Sequence, residues 1–212
     1  MNHQELAALN ISQNLDDLCH LDPRGYGVCR ILYAGARKLC AEPLSLRGAR
    51  LMAAQARPQR TVCLLTGFVL APFGKAETDG ITGTVSLARA LILAFGARPV
   101  IVCPAEAAEG VAAIAGAMGL AFVSGSVRLQ PADGTVCCLV CPRDEAGALT
   151  LTERINKLQP TLCISVEAPG ANAVGVCHNA AGDDVSELEA RLDTVFEGLR
   201  RSGVPTLSVG DL

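Results

Sequence analysis

Residues 60–95 constrain the fold of this chain more than any other stretch, because they join a strand signal to a helix signal through a polar loop. Residues 61–65 are an apolar run bounded by Gly67, which predicts a buried strand. Apolar residues at helical spacing predict a helix over 82–95: Val85, Ala88, Leu91, Ile92 and Phe95. The intervening Glu77-Thr78-Asp79-Gly80 lies where ligands bind in open α/β sheets, after a strand and before a helix.

The same alternation continues along the rest of the chain. Further strands are predicted at 99–103, 120–124, 136–140, 161–166 and 204–209. Further helices are predicted at 106–118, 144–158 and 188–199. Apolar strands alternating with amphipathic helices predict an α/β fold with a mostly parallel, Rossmann-like three-layer sheet. We expect three polar loops to meet at its carboxyl edge: 67–82, 167–186 and 210–211.

Residues 1–57 have a different pattern and predict a helical N-terminal arm. Turn residues Asp22-Pro23-Arg24-Gly25 separate its first two helices, and a third is expected from about 44 to 56, with Ser45 as a cap. We expect this arm to pack on the core of an α/β domain over 58–212, giving one structural domain overall.

Composition excludes some classes of function. Half of the 212 residues are apolar and 18% are charged, as in a globular protein. A net charge of −3 with no Lys/Arg cluster gives no nucleic-acid footprint. Ten cysteines without a signal sequence predict free thiols in a reducing, cytoplasmic compartment. Residues 110–127 are uncharged, but four glycines and a change of period near Gly119 predict a helix and a strand there, not a membrane span.

The first candidate site is the polar loop around Glu77-Thr78-Asp79-Gly80, with Lys75, Thr82 and Gly83 beside it. Carboxylates before a helix either cap it or hold a cation. Asp79 or Thr82 as a plain N-cap, with Gly80 as a turn residue, is the alternative interpretation. The loop is neither a phosphate-binding P-loop nor a dinucleotide fingerprint, because the required glycine and lysine spacings are missing.

The second candidate site is the long loop that begins at Glu167. It contains Ala168-Pro169-Gly170-Ala171-Asn172, then Cys177-His178-Asn179 and Gly182-Asp183-Asp184, and loops of this length are often functional. His178 fits a general base, a ligand or a surface residue. Asp183, Asp184 and Ser186 compete to cap the following helix.

A third motif, Cys138 to Cys141, has C-x-x-C spacing but lies in an apolar strand, which favours a core role over a redox or zinc site.

These motifs together resemble the D-glutamate cyclase-like family, specifically its C-terminal domain. The resemblance covers most of residues 20–211 and is carried by Asp22-Pro23-Arg24-Gly25, Pro43-Leu44-Ser45, Thr66-Gly67-Phe68, Glu77-Thr78-Asp79-Gly80 with Gly83, Glu167-Ala168-Pro169-Gly170, Asn179 with Gly182, and Gly210-Asp211. It implies an α/β fold and the intramolecular dehydration of D-glutamate, or a related amino dicarboxylate, to 5-oxo-D-proline.

That reaction sets the roles expected of the loops. We expect Glu77, Asp79 and Glu167 to be catalytic, with Glu77 or Glu167 as the base. Asp79 and Asp211 would orient the amine or hold a divalent cation, Mg²⁺ or Mn²⁺, and no other cofactor is implied. Amides near Gly80 and Gly83 would receive the oxyanion. Substrate contacts are expected from Thr66, Gly67, Thr78, Gly80, Gly83, Gly170, Asn172, His178, Asn179 and Asp211.

The chain also departs from the family pattern. Relatives tend to carry arginine where this chain has Ala168 and Ala181, and an aromatic pair where it has Cys177-His178. They also continue beyond Gly210-Asp211, so we expect a shortened member or a fragment. Two alternatives therefore stay open: a non-catalytic module that binds a small molecule in the same pocket, and a divalent-metal-dependent phosphate enzyme. The expected partner is an acidic amino acid, without nucleic acid or membrane, and a homo-oligomer is left open.

Overall fold

The computed structural model describes residues 2–22, 25–125 and 134–210. These residues belong to two compact units, 2–55 and 56–210. The packing of the predicted arm on the α/β domain stays a prediction.

The first unit consists of three helices: α1 (His3–Cys19), α2 (Val28–Leu39) and α3 (Leu44–Gln55). A capping box starts α1, in which the Asn2 side chain accepts from the Glu5 amide and the Glu5 carboxylate accepts from the Asn2 amide. The cap of α3 comes from α1, because the buried carboxylate of Asp16 accepts from the amides of Leu44 at 2.6 Å and Ser45 at 2.9 Å. The prediction that Ser45 caps α3 is therefore wrong.

The second unit is the α/β unit. Its strands are β1 (Thr61–Thr66), β2 (Val69–Leu70), β3 (Lys75–Ala76), β4 (Arg98–Cys103), β5 (Ala121–Ser124), β6 (Thr135–Val140), β7 (Leu162–Val166) and β8 (Thr206–Val209). Its helices are α4 (Thr78–Phe95), α5 (Ala105–Ala117), α6 (Glu145–Asn156) and α7 (Leu192–Arg201).

Six strands form one parallel sheet in the order β5-β6-β4-β1-β7-β8, while β2 and β3 pair as a small antiparallel hairpin. All six residues of β1 are buried, because helices cover both faces of the sheet. Alternate strand residues such as Cys63 and Val100 form one core cluster with α6 and α7, and α4 and α5 pack on the other face. The predicted α/β class and Rossmann-like three-layer sheet are confirmed.

Two helix starts differ from the sequence prediction. The structure begins α4 at Thr78, not at 82, because Gly80 lies inside the helix and not in a turn. It begins α7 at Leu192, not at 188, because residues 186–188 form turns. The β2–β3 hairpin was not predicted at all and occupies part of the loop expected over 67–82.

The uncharged stretch at 110–127 does contain the end of a helix and then a strand, as its glycines predict, namely α5 and β5. Among the helices that the structure describes, none combines the length and the apolar character that a membrane crossing requires.

Candidate functional site

Strand β1 lies in the middle of the sheet, at the point where the strand order changes direction. From β1 the chain continues to β4 on one side, and the later strands β7 and β8 are added on the other side. In open α/β sheets, ligands bind in the crevice outside the carboxyl ends of the strands at such a point. The crevice here lies between the end of β1, at Thr66, and the end of β7, where Val166 pairs with Thr66. Glu167 is the next residue.

Gly80 brings the first turn of α4 against this crevice. A Cβ atom at position 80 would lie 2.7 Å from the Cβ atom of Glu167 and 3.0 Å from the Oγ1 atom of Thr66. Real Cβ atoms do not approach other atoms so closely, so a side chain larger than hydrogen would force these elements apart. Glycine therefore allows α4, β1 and the end of β7 to meet, and Gly80 lies in contact with two other residues predicted for the site, Glu167 and Thr66.

Glu167 adopts an unusual backbone conformation. Its φ is +44°, in the left-handed region that costs an L-residue roughly 1–2 kcal/mol. Its amide donates to the Val209 carbonyl of β8 at 3.0 Å, which fixes the backbone at the edge of the sheet. A Cβ atom at Gly210 would lie 3.8 Å from both carboxylate oxygens of Glu167, so the carboxylate lies beside the end of β8. Strained backbone held by its surroundings is a feature of functional sites.

Thr66 contributes a buried hydroxyl at the same place. Its side chain is fully buried, and its Oγ1 atom has no hydrogen-bond partner among the residues that the structure describes. A buried hydroxyl without a partner costs roughly 1–3 kcal/mol, and a polar atom of a ligand or of water would relieve that cost. Thr66 is thus suited to bind a polar group in the crevice.

The predicted carboxylates Glu77 and Asp79 lie on either side of the first residue of α4. Glu77 is half-buried and is the N-cap residue, although its side chain makes no capping hydrogen bond. Asp79 is exposed, and its Oδ1 atom accepts from the Gly80 amide at 2.7 Å. Thr82 donates to the carbonyl of the exposed Thr78 within the helix, so the alternative of Asp79 or Thr82 as the N-cap is wrong.

Three other predicted glycines occupy different surroundings. Gly67 has a φ of +110°, and a Cβ atom there would lie 2.6 Å from Pro104 Cδ, so its role is the close approach of α5 to the end of β1. Gly83 is exposed on α4, and a Cβ atom would meet Val166 Cγ1 at an ordinary 3.6 Å. Gly170 is exposed in the long loop, with open space around it.

The polar side chains of the long loop bond to the loop itself. Asn172 accepts from the amides of Val174 and Val176, and Asn179 accepts from the amides of Ala181 and Asp183. His178 is exposed, and its Nδ1 atom lies 3.0 Å from the carbonyl oxygen of Gly182. The contacts described for these three predicted residues shape the loop and do not reach Glu167.

The acidic pair before α7 also has a local role. Asp184 accepts from both the amide and the hydroxyl of Ser186, and these bonds lower its pKa. Arg191 is the N-cap residue of α7. The prediction that Asp183, Asp184 or Ser186 caps this helix is therefore wrong.

Two predictions concern metal binding and the cysteine motif. Asp211 lies outside the described residues, so the structure says nothing of its expected role. Within 2–22, 25–125 and 134–210, no group of three His, Cys, Asp or Glu side chains could hold a metal ion. The Cys138 sulfur lies 3.6 Å from that of Cys103, and Cys141 packs in the core cluster with α6 and α7. The C-x-x-C motif thus has the predicted core role.

Glu189 is a residue that the sequence reasoning missed. Its side chain is only 1% exposed, and burial raises its pKa to about 7. Position 189 falls in the stretch predicted as the start of an amphipathic helix, where a glutamate between apolar residues is expected to face solvent. Because the helix begins only at Leu192, that periodicity does not apply, and no local pattern indicates the burial.

Comparison with known proteins identifies the family of this chain. A search among curated proteins returned no match. The family model described as D-glutamate cyclase-like, C-terminal, matches residues 15–212, which is nearly the whole chain. The match includes Thr66, Gly80 and Glu167, which the structure brings into contact. The chain therefore belongs to the D-glutamate cyclase-like family, in which it matches the C-terminal domain.

Proposed function

We propose that this protein converts D-glutamate, or a closely related amino dicarboxylate, to 5-oxo-D-proline by intramolecular dehydration. Membership of the family supports the reaction class. The observation that carries the proposal is the contact of Gly80 with Glu167 and Thr66, which places a carboxylate, a buried hydroxyl and the start of a long helix at the switch point of the sheet.

Lactam formation makes specific demands on such a site. The α-amine must lose a proton before its nitrogen attacks the γ-carboxyl carbon, and one γ-oxygen must leave as water. In the proposed mechanism Glu167 accepts the proton from the α-ammonium group. The amides of Thr78 and Asp79 in the first turn of α4 stabilise the oxyanion that forms as the new C–N bond closes, since the Gly80 amide donates to Asp79. Nitrogen loses a second proton to Glu167 after the attack, and both protons are delivered to the leaving γ-oxygen, so the atoms balance as lactam and water.

The remaining site residues are assigned to binding and orientation. The buried hydroxyl of Thr66 donates to a substrate carboxylate, which relieves its lack of a partner. Glu77 and Asp79, which flank the start of α4, orient the substrate ammonium group. All of these steps use side chains and backbone amides of the described residues.

The direct test is to incubate the purified protein with D-glutamate and with L-glutamate, each with and without Mg²⁺ or Mn²⁺, and to measure 5-oxoproline by chiral chromatography. We expect 5-oxo-D-proline from D-glutamate. No product under any of these conditions would contradict the reaction.

Substitutions test the site assignment separately from the reaction. Glu167→Gln should lower kcat by about 10²–10⁴-fold, the usual contribution of a general base. Retained turnover in a Glu77→Gln, Asp79→Asn double variant would contradict the role of the α4 start. Glu109→Gln, an exposed carboxylate on α5, is the matched control and should behave as the wild type.

A second candidate function is a binding module that holds the same ligand without turnover. Ala168 favours it, because this residue follows Glu167 directly and packs against the hydrophobic core cluster, where it offers the substrate no charge. Isothermal titration with D-glutamate distinguishes the two. Binding without product indicates the module, and binding with product indicates the enzyme.

We also propose that the protein works in a reducing compartment, the cytoplasm. All ten cysteines are free thiols, and eight of them, such as Cys63 and Cys163, are buried in positions where they serve as small core residues. Fractionation of cells expressing the tagged protein tests this.

A further inference from the structure

Glu189 is a buried carboxyl group that holds a distant segment of the α/β unit. Its Oε1 atom accepts a hydrogen bond of 3.0 Å from the amide of Val69, which lies 120 positions earlier in the chain. Its Oε2 atom is buried and has no hydrogen-bond partner in the part of the chain that the structure describes. Burying a carboxyl group that is only 1% exposed costs folding free energy, and the one described hydrogen bond offsets only part of that cost. The burial of Glu189 therefore indicates a specific role.

The bonded amide belongs to the hairpin that leads into the candidate site. Val69 begins β2 and pairs with Ala76 of β3. At the end of the hairpin, the amide of Glu77 donates to the carbonyl of Phe68 at 2.8 Å. Glu77 is the N-cap residue of α4. The hydrogen bond from Val69 to Glu189 is therefore connected to the first turn of α4 through Phe68 and Glu77.

We propose that Glu189 is a positioning residue that fixes the β2–β3 hairpin and, through it, the first turn of α4 where Gly80 meets Glu167. Its effect on turnover rests on the proposed function, whereas its effect on the hairpin does not. No atom of Glu189 is required to touch the substrate.

The charges around Glu189 make this role depend on pH. Burial raises its pKa to about 7, while the Val69 amide and Arg143 act to lower it and Glu106 acts to raise it. Arg143 itself pairs with Glu106, with 2.6 Å between Nη2 and Oε1, so the cation is shared between two carboxyl groups. The neutral form of Glu189 is therefore the form that the closed hairpin favours, and ionisation favours any opening that exposes it to water.

Linkage gives the size of the effect. If opening of the hairpin exposes Glu189, the open state has the ordinary glutamate pKa of 4.5 and the closed state a pKa of about 7. Between these values the open population rises about tenfold for each pH unit. The intrinsic rate of amide exchange also rises about tenfold per pH unit, because exchange is catalysed by hydroxide. The logarithm of the exchange rate in the wild-type hairpin should therefore rise with pH twice as steeply as the intrinsic rate alone.

The experiment is hydrogen exchange of peptides covering residues 67–80, followed from pH 5 to pH 7. In Glu189→Leu the Val69 amide loses its acceptor, and we expect exchange in 67–80 to rise about tenfold or more, with β4 and β6 unchanged. Glu189→Gln keeps an acceptor without a titrating group, so its exchange should follow the chemical slope alone. Glu187→Gln, an exposed neighbour, is the control and should match the wild type.

Two results would overturn the proposal: unchanged exchange of 67–80 in Glu189→Leu, or an equal rise over the whole sheet. If Glu189→Leu does not fold, the comparison of the wild type with Glu189→Gln decides, and equal pH slopes would overturn the proposal.

Exchange is read without substrate, so a wild type that has no cyclase activity leaves this test intact. Where turnover is present, Glu189→Leu should lower kcat with little change in KM. In the wild type, kcat should decline as Glu189 ionises above about pH 7, and Glu189→Gln should restore kcat without that decline.

Discussion

Gly80 and Glu167 approach so closely that a Cβ atom on the glycine would lie 2.7 Å from the Cβ atom of the glutamate. This contact joins the start of α4 to the residue that follows β7, and Thr66 at the end of β1 completes it at 3.0 Å. The start of α4, the end of β1 and the end of β7 are therefore closely packed here, and the hydrogen bond from the Glu167 amide to the Val209 carbonyl holds the left-handed backbone of Glu167.

Replacing Gly80 by alanine tests this contact. The added methyl group must displace Glu167 or α4, and overpacking of this kind typically destabilises a protein by about 1–3 kcal/mol. Displacement of Glu167 by even 1 Å should lower turnover by about 100-fold. Urea unfolding measures the first effect and the 5-oxoproline assay the second.

Gly83→Ala is the matched control on the same helix. A Cβ atom at position 83 would meet only Val166 Cγ1, at 3.6 Å, which is ordinary contact. Because alanine favours the helix over glycine by up to about 1 kcal/mol, this variant should be as stable as the wild type or more so. Equal destabilisation by both substitutions would contradict the importance of the contact at Gly80.

The fold was predictable because its signals are local. Each strand of the parallel sheet was predicted within one or two residues, as for β1, since an apolar run between turn residues specifies a buried strand directly. The start of α4 was not predictable in this way. Gly80 resembles a turn residue in the sequence, and only its contact with Glu167 explains why a glycine lies inside the helix.

The candidate site was predictable only in part, for the same physical reason. Parallel strands bring their carboxyl ends to one edge, so Thr66, Glu167 and Gly210 could be placed together from the order of the chain. The hydrogen bond from Val69 to Glu189 joins positions 120 residues apart and leaves no pattern in either segment. Long-range contacts of this type require the structure.

Asp16 provides a test within the three-helix unit. Burial acts to raise the pKa of this carboxyl group, but its bonds with Ser45, Leu44 and Tyr33 outweigh burial and lower it. Asp16→Asn leaves the α3 amides with a single acceptor oxygen, and it should cost about 1–3 kcal/mol at neutral pH. A lowered pKa stabilises the folded state above the ordinary value of 3.8, and this contribution is lost as the pH falls through the folded-state pKa.

The measurement for Asp16 is hydrogen exchange of the first turn of α3 at neutral and acidic pH. Asp17→Asn changes an exposed carboxylate on the same helix and serves as the control. We expect faster exchange at Leu44 and Ser45 in Asp16→Asn alone, with a smaller difference at acidic pH. Equal exchange in both variants at neutral pH would show that Asp16 does not cap α3.

Arg143 should set the pH at which Glu189 ionises. Its positive charge favours the ionised carboxylate, so Arg143→Gln should raise the pKa of Glu189 further. The decline in the free energy of unfolding with rising pH should then continue to a higher pH than in the wild type. In a Glu189→Gln background, Arg143→Gln should leave the pH dependence of stability unchanged. The control in both backgrounds is Arg154→Gln, which replaces an exposed arginine on α6.

The last prediction concerns the stability of the whole α/β unit as a function of pH. Between pH 4.5 and about 7, folded Glu189 keeps a proton that the unfolded chain releases. Stability should therefore fall as the pH rises through this window, by roughly 3 kcal/mol in total, because one pKa unit is about 1.4 kcal/mol. Glu189→Gln lacks this decline, so it should equal the wild type near pH 4.5 and exceed it above pH 7. Urea unfolding at several pH values measures the difference, with Glu187→Gln as the control, and parallel curves for wild type and Glu189→Gln would show that Glu189 is not buried as a neutral acid.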